Sequence, residues 1–184
     1  MRDILPDNQV YLKKIHKSVE STTHYYSFQR IDVPVLEFVE VFAKAAGDTS
    51  DVVEKEMYSF RTKGQDLVAL RPEFTPGIVR SYIEHGMYNM PQPVKLWTSG
   101  PCFRHDRPQK GRYRQFLQAS LEVLGDKSAS VDGQIIQMSF DILKDLGLKN
   151  INIEVNSIGD SECRPYFKKI LVTYFKSKKS SLCA

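Results

Sequence analysis

The sequence predicts an α+β fold, an antiparallel sheet flanked by helices. Apolar residues recur at helical spacing in separate stretches, with β-rich runs of period-two alternation between them. Two pairs of those runs are joined as hairpins, one around Lys63-Gly64-Gln65 and one around a basic loop. There is no internal repeat and no Gly/Ser-rich linker, so a mostly antiparallel sheet with helices packed on it is the economical arrangement.

In chain order, Pro6-Asp7 opens a helix in which Asp7 is placed to cap the first turn. Val10, Tyr11, Ile15 and Val19 carry it to about Tyr25. Phe28 to Val35 alternates as a strand, with Asp32 and Pro34 near its end marking an edge or interface position. Glu37 to Ala46 reads as a short helix stopped by Gly47. Met57–Arg61 and Leu67–Arg71 form a hairpin. Thr75 is a candidate N-cap with Pro76 at the first helical position, and the helix runs to about Tyr88. Val94–Thr98 and Phe116–Leu124 are strands around the basic loop. Residues 130 to 146 are helical, Ile151–Val155 is a strand, and Asp160 to about Lys178 is a long amphipathic helix with a basic end.

The bulk properties narrow the class. A chain of 184 residues with 41% hydrophobic and 26% charged residues can bury a real core. A net charge of +4 permits an anionic partner without demanding one, so clustering matters more than the total. Cys102, Cys163 and Cys183 have no zinc-type spacing and read as free thiols. No apolar h-region opens the chain and no run is long enough to span a bilayer, so the expectation is a cytoplasmic protein without a membrane partner and without a protein-held metal.

Three constellations carry chemistry. Arg104, Arg107, Lys110, Arg112 and Arg114 crowd the loop between two strands. Arg104, fixed at a strand end, can grip a phosphate through its guanidinium fork; the alternative is a solvated basic hairpin tip. On the second strand, Gln118, Ser120, Glu122 and Leu124 share one face, opposite Leu117, Ala119, Leu121 and Val123. The polar face suits an α-ammonium group, or is an ordinary solvent-facing surface. Glu73 and Thr75 stand at a strand-to-helix junction, as holders of an amine or as a capping device.

The runs RDILPD, RPEFTPGIVR, GPCFRHDRPQKGRYRQF and VNSIGDSECRPYF together resemble the N-terminal half of the histidyl-tRNA synthetases, which are class II aminoacyl-tRNA synthetases. The likeness extends from Met1 to the end of the chain. It implies an antiparallel class II catalytic sheet and a histidine–tRNA ligase. Such an enzyme uses ATP and Mg²⁺ to activate histidine and passes it to tRNA-His. By that resemblance Arg104 is the motif 2 arginine on the α-phosphate and the histidine carboxylate, and Arg112 meets the γ-phosphate side. Glu73 lies near adenine and the amine, while Thr75, Gln118 and Glu122 hold the histidine amino group. The first helix and the strand ending at Pro34 match motif 1, which implies a homodimer.

The resemblance also divides the chain. Residues 1–159 are expected to form the motif 1 and motif 2 part of the catalytic core, and 160–184 an amphipathic helix and basic tail opening the next region. Motif 3, the later histidine motif and the anticodon-binding domain are not among these residues. The expectation is therefore an incomplete catalytic domain with weak or no aminoacylation alone. Phe74, Leu117 and Ala119-Ser120-Leu121 depart from the family's Gly, His and LGC-like residues. Two other functions stay open on the residues: a histidine-sensing regulatory subunit of ATP phosphoribosyltransferase, and a nucleic-acid module using the basic loop and tail.

Overall fold

The computed structural model describes residues 3–46, 56–105, 109–157 and 159–181. The chain divides into two compact units, Met1–Ile151 and Asn152–Ala184. The predicted stop at Gly47, the loop residue Arg107 and the thiol of Cys183 lie outside the described residues.

In the first unit a 3-10 turn, Pro6–Asn8, leads into α1, Gln9–Tyr25. Asp7 lies inside that turn and does not cap the helix. Asn8 holds the N-cap position with a helical backbone and no side-chain bond. Of the run expected as one strand over 28–35 only two residues form one, and a separate strand follows beyond its end. Gln29–Arg30 (β1) pairs in parallel with Leu96 and Trp97, and Leu36–Phe38 (β2) pairs antiparallel with Val68, Ala69 and Leu70. Pro34, which has no N–H to offer a ladder, falls between them. Because Leu36–Phe38 is paired as a strand, α2 starts at Val39 rather than Glu37 and runs to Ala46.

Tyr58–Arg61 (β3) and Leu67–Leu70 (β4) form the expected hairpin, although it is Gln65, not Gly64, that takes the left-handed conformation in the turn. Thr75–Glu84 forms α3, four residues shorter than expected. Gly86, left-handed at φ 62°, ends it, and Met87–Asn89 continues as a 3-10 turn. Val94–Phe103 (β5) and Gln115–Leu124 (β6) pair over their whole length, from Val94↔Leu124 to Phe103↔Gln115, so β5 runs well past Thr98. Ala129–Asp145 is α4. The strand expected at Ile151–Val155 is not formed. The residues alternate, but none of the described strands pairs with them, and alternation without a neighbour does not make a strand.

The strands make two three-stranded sheets, β1-β5-β6 and β2-β4-β3, and β1–β5 is a parallel pair. The fold is thus α+β, with small, mainly antiparallel sheets and helices around them.

The β5–β6 hairpin organises the core because its two faces pack different layers. Val94, Leu96, Cys102, Phe116 and Leu124 meet Val33, Phe74 and Ile78 on one side. Trp97, Leu121 and Val123 meet Val19, Phe28, Ile135, Met138 and Ile142 on the other. Burying a side chain as large as Trp97 is worth about 2–3 kcal/mol. Polar ties fasten α1 to α4. The Tyr26 hydroxyl donates to Asp141 Oδ2 at 2.9 Å, and the Ser18 hydroxyl to the Ile142 carbonyl at 3.4 Å.

In the second unit α5 spans Cys163–Ser177. Asp160 Oδ1 accepts the backbone N–H groups of Glu162 and Cys163, at 2.9 and 2.8 Å. These bonds favour the ionised carboxylate and hold the Asp160 carboxyl below its usual range. Among the described residues no helix is long and apolar enough to cross a membrane.

Candidate active site

The site is assembled where the end of β4 runs beside the end of β5. Phe103 N–H donates to the Arg71 carbonyl at 3.0 Å, and the Arg104 Nε to the Pro72 carbonyl at 3.0 Å. Residues 71–73 therefore lie against 103–104, which brings Glu73 and Arg104 into one neighbourhood. Arg104 is further fixed by its own N–H on the Arg114 carbonyl at 2.9 Å, and its guanidinium lies 5.4 Å from the centre of the Phe116 ring. Among the described residues its two terminal nitrogens bond to nothing. A guanidinium held by its inner nitrogen, with the outer pair uncommitted, is ready for a bidentate anion.

Arg71, which the sequence reading took only as a strand end, anchors this corner. It is buried, and its guanidinium donates to three carbonyls: Pro101 at 2.9 Å, Val33 at 2.6 Å and Pro34 at 3.3 Å. Burial lowers its pKa, with the neighbouring Cys102 opposing that shift. Burial likewise pushes the Cys102 thiol up to about 11, against the pull of Arg71 and Arg104. The only sequence signal for Arg71 was an arginine placed where β4 gives way to Pro72, a point at which a long cationic side chain must find carbonyls or solvent.

Phe74 is buried in the core with Ile78, Leu96 and Cys102. It occupies the N-cap position of α3, so Thr75 is the first residue of the helix and not its cap. That frees the Thr75 hydroxyl, which donates to Glu122 Oε1 at 2.6 Å. The Ser120 hydroxyl donates to the same oxygen at 3.0 Å. Gln118, Ser120 and Glu122 share the face of β6 that looks toward α3, opposite Gly100, Thr98 and Leu96. The polar face is therefore turned toward α3.

The spacing along the hairpin is informative. Arg104 is level with Arg114, and Glu122 lies eight residues further along β6. At about 3.3 Å per residue that is roughly 26 Å of strand, with Gln118 midway. Arg112 stands at the far tip, where its N–H donates to the Gln109 carbonyl at 2.9 Å beside Gly111, left-handed at φ 87°. The fold thus lines up Arg112, Arg104 with Glu73, Gln118, and Thr75 with Glu122 along one hairpin. Among the described residues no three His, Cys, Asp or Glu side chains form a metal-binding group.

Comparison with known proteins gives the family. The family model described as histidyl-tRNA synthetase matches residues 1–159. A histidine–tRNA ligase of Desulforamulus reducens is 42% identical over 99% of this chain, and one of Staphylococcus epidermidis is 42% identical over 100%. The structure of apo histidyl-tRNA synthetase from S. aureus superposes with a TM-score of 0.76 at 34% identity, covering all of this chain and 43% of that one. The chain spans 43% of the length of each of these two curated relatives. With the family model covering most of its length, the chain belongs to the histidyl-tRNA synthetase family.

Proposed function

We propose that this chain supplies the ATP and amino-acid floor of a histidine–tRNA ligase active site, in which histidine is activated by ATP and transferred to tRNA-His. The supporting observation is the order of groups on the inner face of one hairpin. A fixed guanidinium, Arg104, stands at one end, and a carboxylate oriented by two hydroxyls, Glu122, at the other. In-line attack of the histidine carboxylate on the α-phosphate brings two anions together. Arg104 sits where it can bind both and neutralise the charge that develops on the phosphoryl oxygens. Arg112, at the loop, takes the γ-phosphate side of ATP. Mg²⁺ is expected with the nucleotide's phosphates. The rest of the catalysis by this chain is positioning, with no covalent enzyme intermediate.

The strand spacing refines the amino-acid side. Carboxylate and ammonium of histidine sit on one carbon, so their holders must lie close together. Glu73, Thr75 and Gln118 fit the ammonium, with Glu73 also beside adenine. Glu122, bonded to the Thr75 hydroxyl, belongs to the same amino-group side.

Residues 1–159 then form the motif 1 and motif 2 part of the core, and 160–184 open the following region. The motif 1 surface is the proposed homodimer contact. That surface comprises the first helix and the strand ending at Pro34, and Pro34 also walls a groove of about 970 Å³ between α2 and α3. A cytoplasmic location accompanies the proposed role in protein synthesis.

The test is to graft residues 1–184 in place of the matching segment of the S. aureus enzyme and measure histidine-dependent ATP–pyrophosphate exchange. Exchange that Arg104→Ala abolishes supports the reading. A well-folded graft without exchange overturns it, and histidine binding that ATP never affects would point to a sensor instead.

A further inference from the structure

We infer that Ser120 is a positioning residue that, together with Thr75, locks the Glu122 carboxylate so that one oxygen alone faces the ligand; this rests on the histidine-site reading above. The two hydroxyls converge on a single atom. Thr75 Oγ1 donates to Glu122 Oε1 at 2.6 Å and Ser120 Oγ to the same Oε1 at 3.0 Å. Among the described residues Oε2 has no protein partner. The three side chains come from two elements, β6 and the first residue of α3, so the carboxylate is pinned from its own strand and from across the layer.

Ser120 is well placed for this work. It is 9% exposed and opposite Thr98 in the ladder, between the buried apolar cluster and the half-buried Gln118. A buried hydroxyl here needs an acceptor, and Glu122, two residues along on the same face, supplies it. A carboxylate on a strand otherwise turns freely about its last torsion. With Oε1 held by two donors, that torsion is set before any ligand arrives, and Oε2 is left to accept one N–H in a fixed direction. An oxygen aimed in advance saves the ordering cost that a swinging carboxylate would pay on binding. Ser120 touches the carboxylate and not the ligand, so its contribution is to aim and not to contact.

The test uses the full 184-residue chain and its Ser120→Ala variant, which removes one oxygen and little volume. Titration calorimetry with histidine, with histidinol and with ATP separates the cases. Histidinol keeps the amine and the ring but lacks the carboxylate that Arg104 would bind. The expected result is a roughly 5- to 20-fold weaker affinity of the variant for both histidine and histidinol, with ATP affinity unchanged. Unchanged histidine affinity overturns the inference. An equal loss of ATP affinity also overturns it, because it marks general damage to the hairpin. The same titrations on the graft into the S. aureus enzyme separate the two readings: a graft that does not bind histidine overturns the histidine-site reading, whereas a graft that binds it as well with Ser120→Ala as without overturns this inference alone.

Discussion

The guanidinium carbon of Arg71 lies 4.3 Å from the centre of the Phe74 ring, over the backbone of Gly100. This stack, with the three carbonyls that Arg71 also serves, ties the segment before α3 to the strand that carries Arg104. Removing it should loosen the site from beneath. Arg71→Ala is expected to cost about 3 kcal/mol in urea unfolding, because it strands buried carbonyls as well as losing the stack. Arg71→Lys should recover little of that, since one ammonium cannot serve the three carbonyls in a fork geometry.

Gly100 makes the complementary prediction. A Cβ there would stand 2.9 Å from Arg71 Nη2 and 3.6 Å from the Phe74 ring. The guanidinium is held by carbonyls and cannot withdraw freely. Gly100→Ala should therefore lower stability by about 1–3 kcal/mol, read by the same unfolding midpoint.

The thiols should separate by pH and exposure. Cys163 is exposed and Cys102 buried. Iodoacetamide at pH 8 is expected to label Cys163 promptly, and Cys102 only when the fold opens. Because burial raises the Cys102 pKa to about 11, the folded state favours the neutral thiol. Its contribution to stability is fully present below the ordinary thiol value near 9 and is lost as pH rises through about 11. Chemical unfolding at pH 8, 9.5 and 11 checks this, and Cys102→Ala should flatten the decline.

Asp160 has the opposite sign. Its carboxyl is held below its usual range by the backbone N–H groups it accepts. The stability it gives the start of α5 is present above the ordinary aspartate value and is lost as pH falls through the lowered one. Amide exchange at Glu162 and Cys163 should quicken on acidification, and Asp160→Ala should abolish that dependence.

Thr75→Val keeps the shape of the side chain and removes the hydroxyl. It is expected to weaken histidine binding about tenfold while leaving the melting temperature within a few degrees, since the aim of Glu122 and the hydroxyl proposed for the ammonium are lost together.

The helices were legible because their apolar spacing is local. α1, α3, α4 and α5 all form close to where periodicity places them. Their ends were less so: Asp7 and Thr75 look like caps in isolation, yet Thr75 makes its bond to Glu122, 47 residues away. The shortening of 28–35 to Gln29–Arg30 and the absence of a strand at 151–155 share one cause, since a strand exists only where a neighbour receives it. On the site side, the polar and apolar faces of β6 could be read from alternation alone. Arg71 could not, because its work is done on carbonyls contributed by Val33, Pro34 and Pro101, which only the fold brings together.

β6 interleaves residues with two destinies on a single thread, and this limits how the hairpin can change length. Insertion or loss of one residue between Phe116 and Ser120 would send Leu121 toward α3 and Glu122 into the layer beneath α1 and α4. The ladder closes at Phe103↔Gln115, so a change of length beyond that pair leaves this exchange untouched. Length variation among natural or engineered versions of this hairpin should thus be confined to its basic tip, while the paired strands admit substitution only.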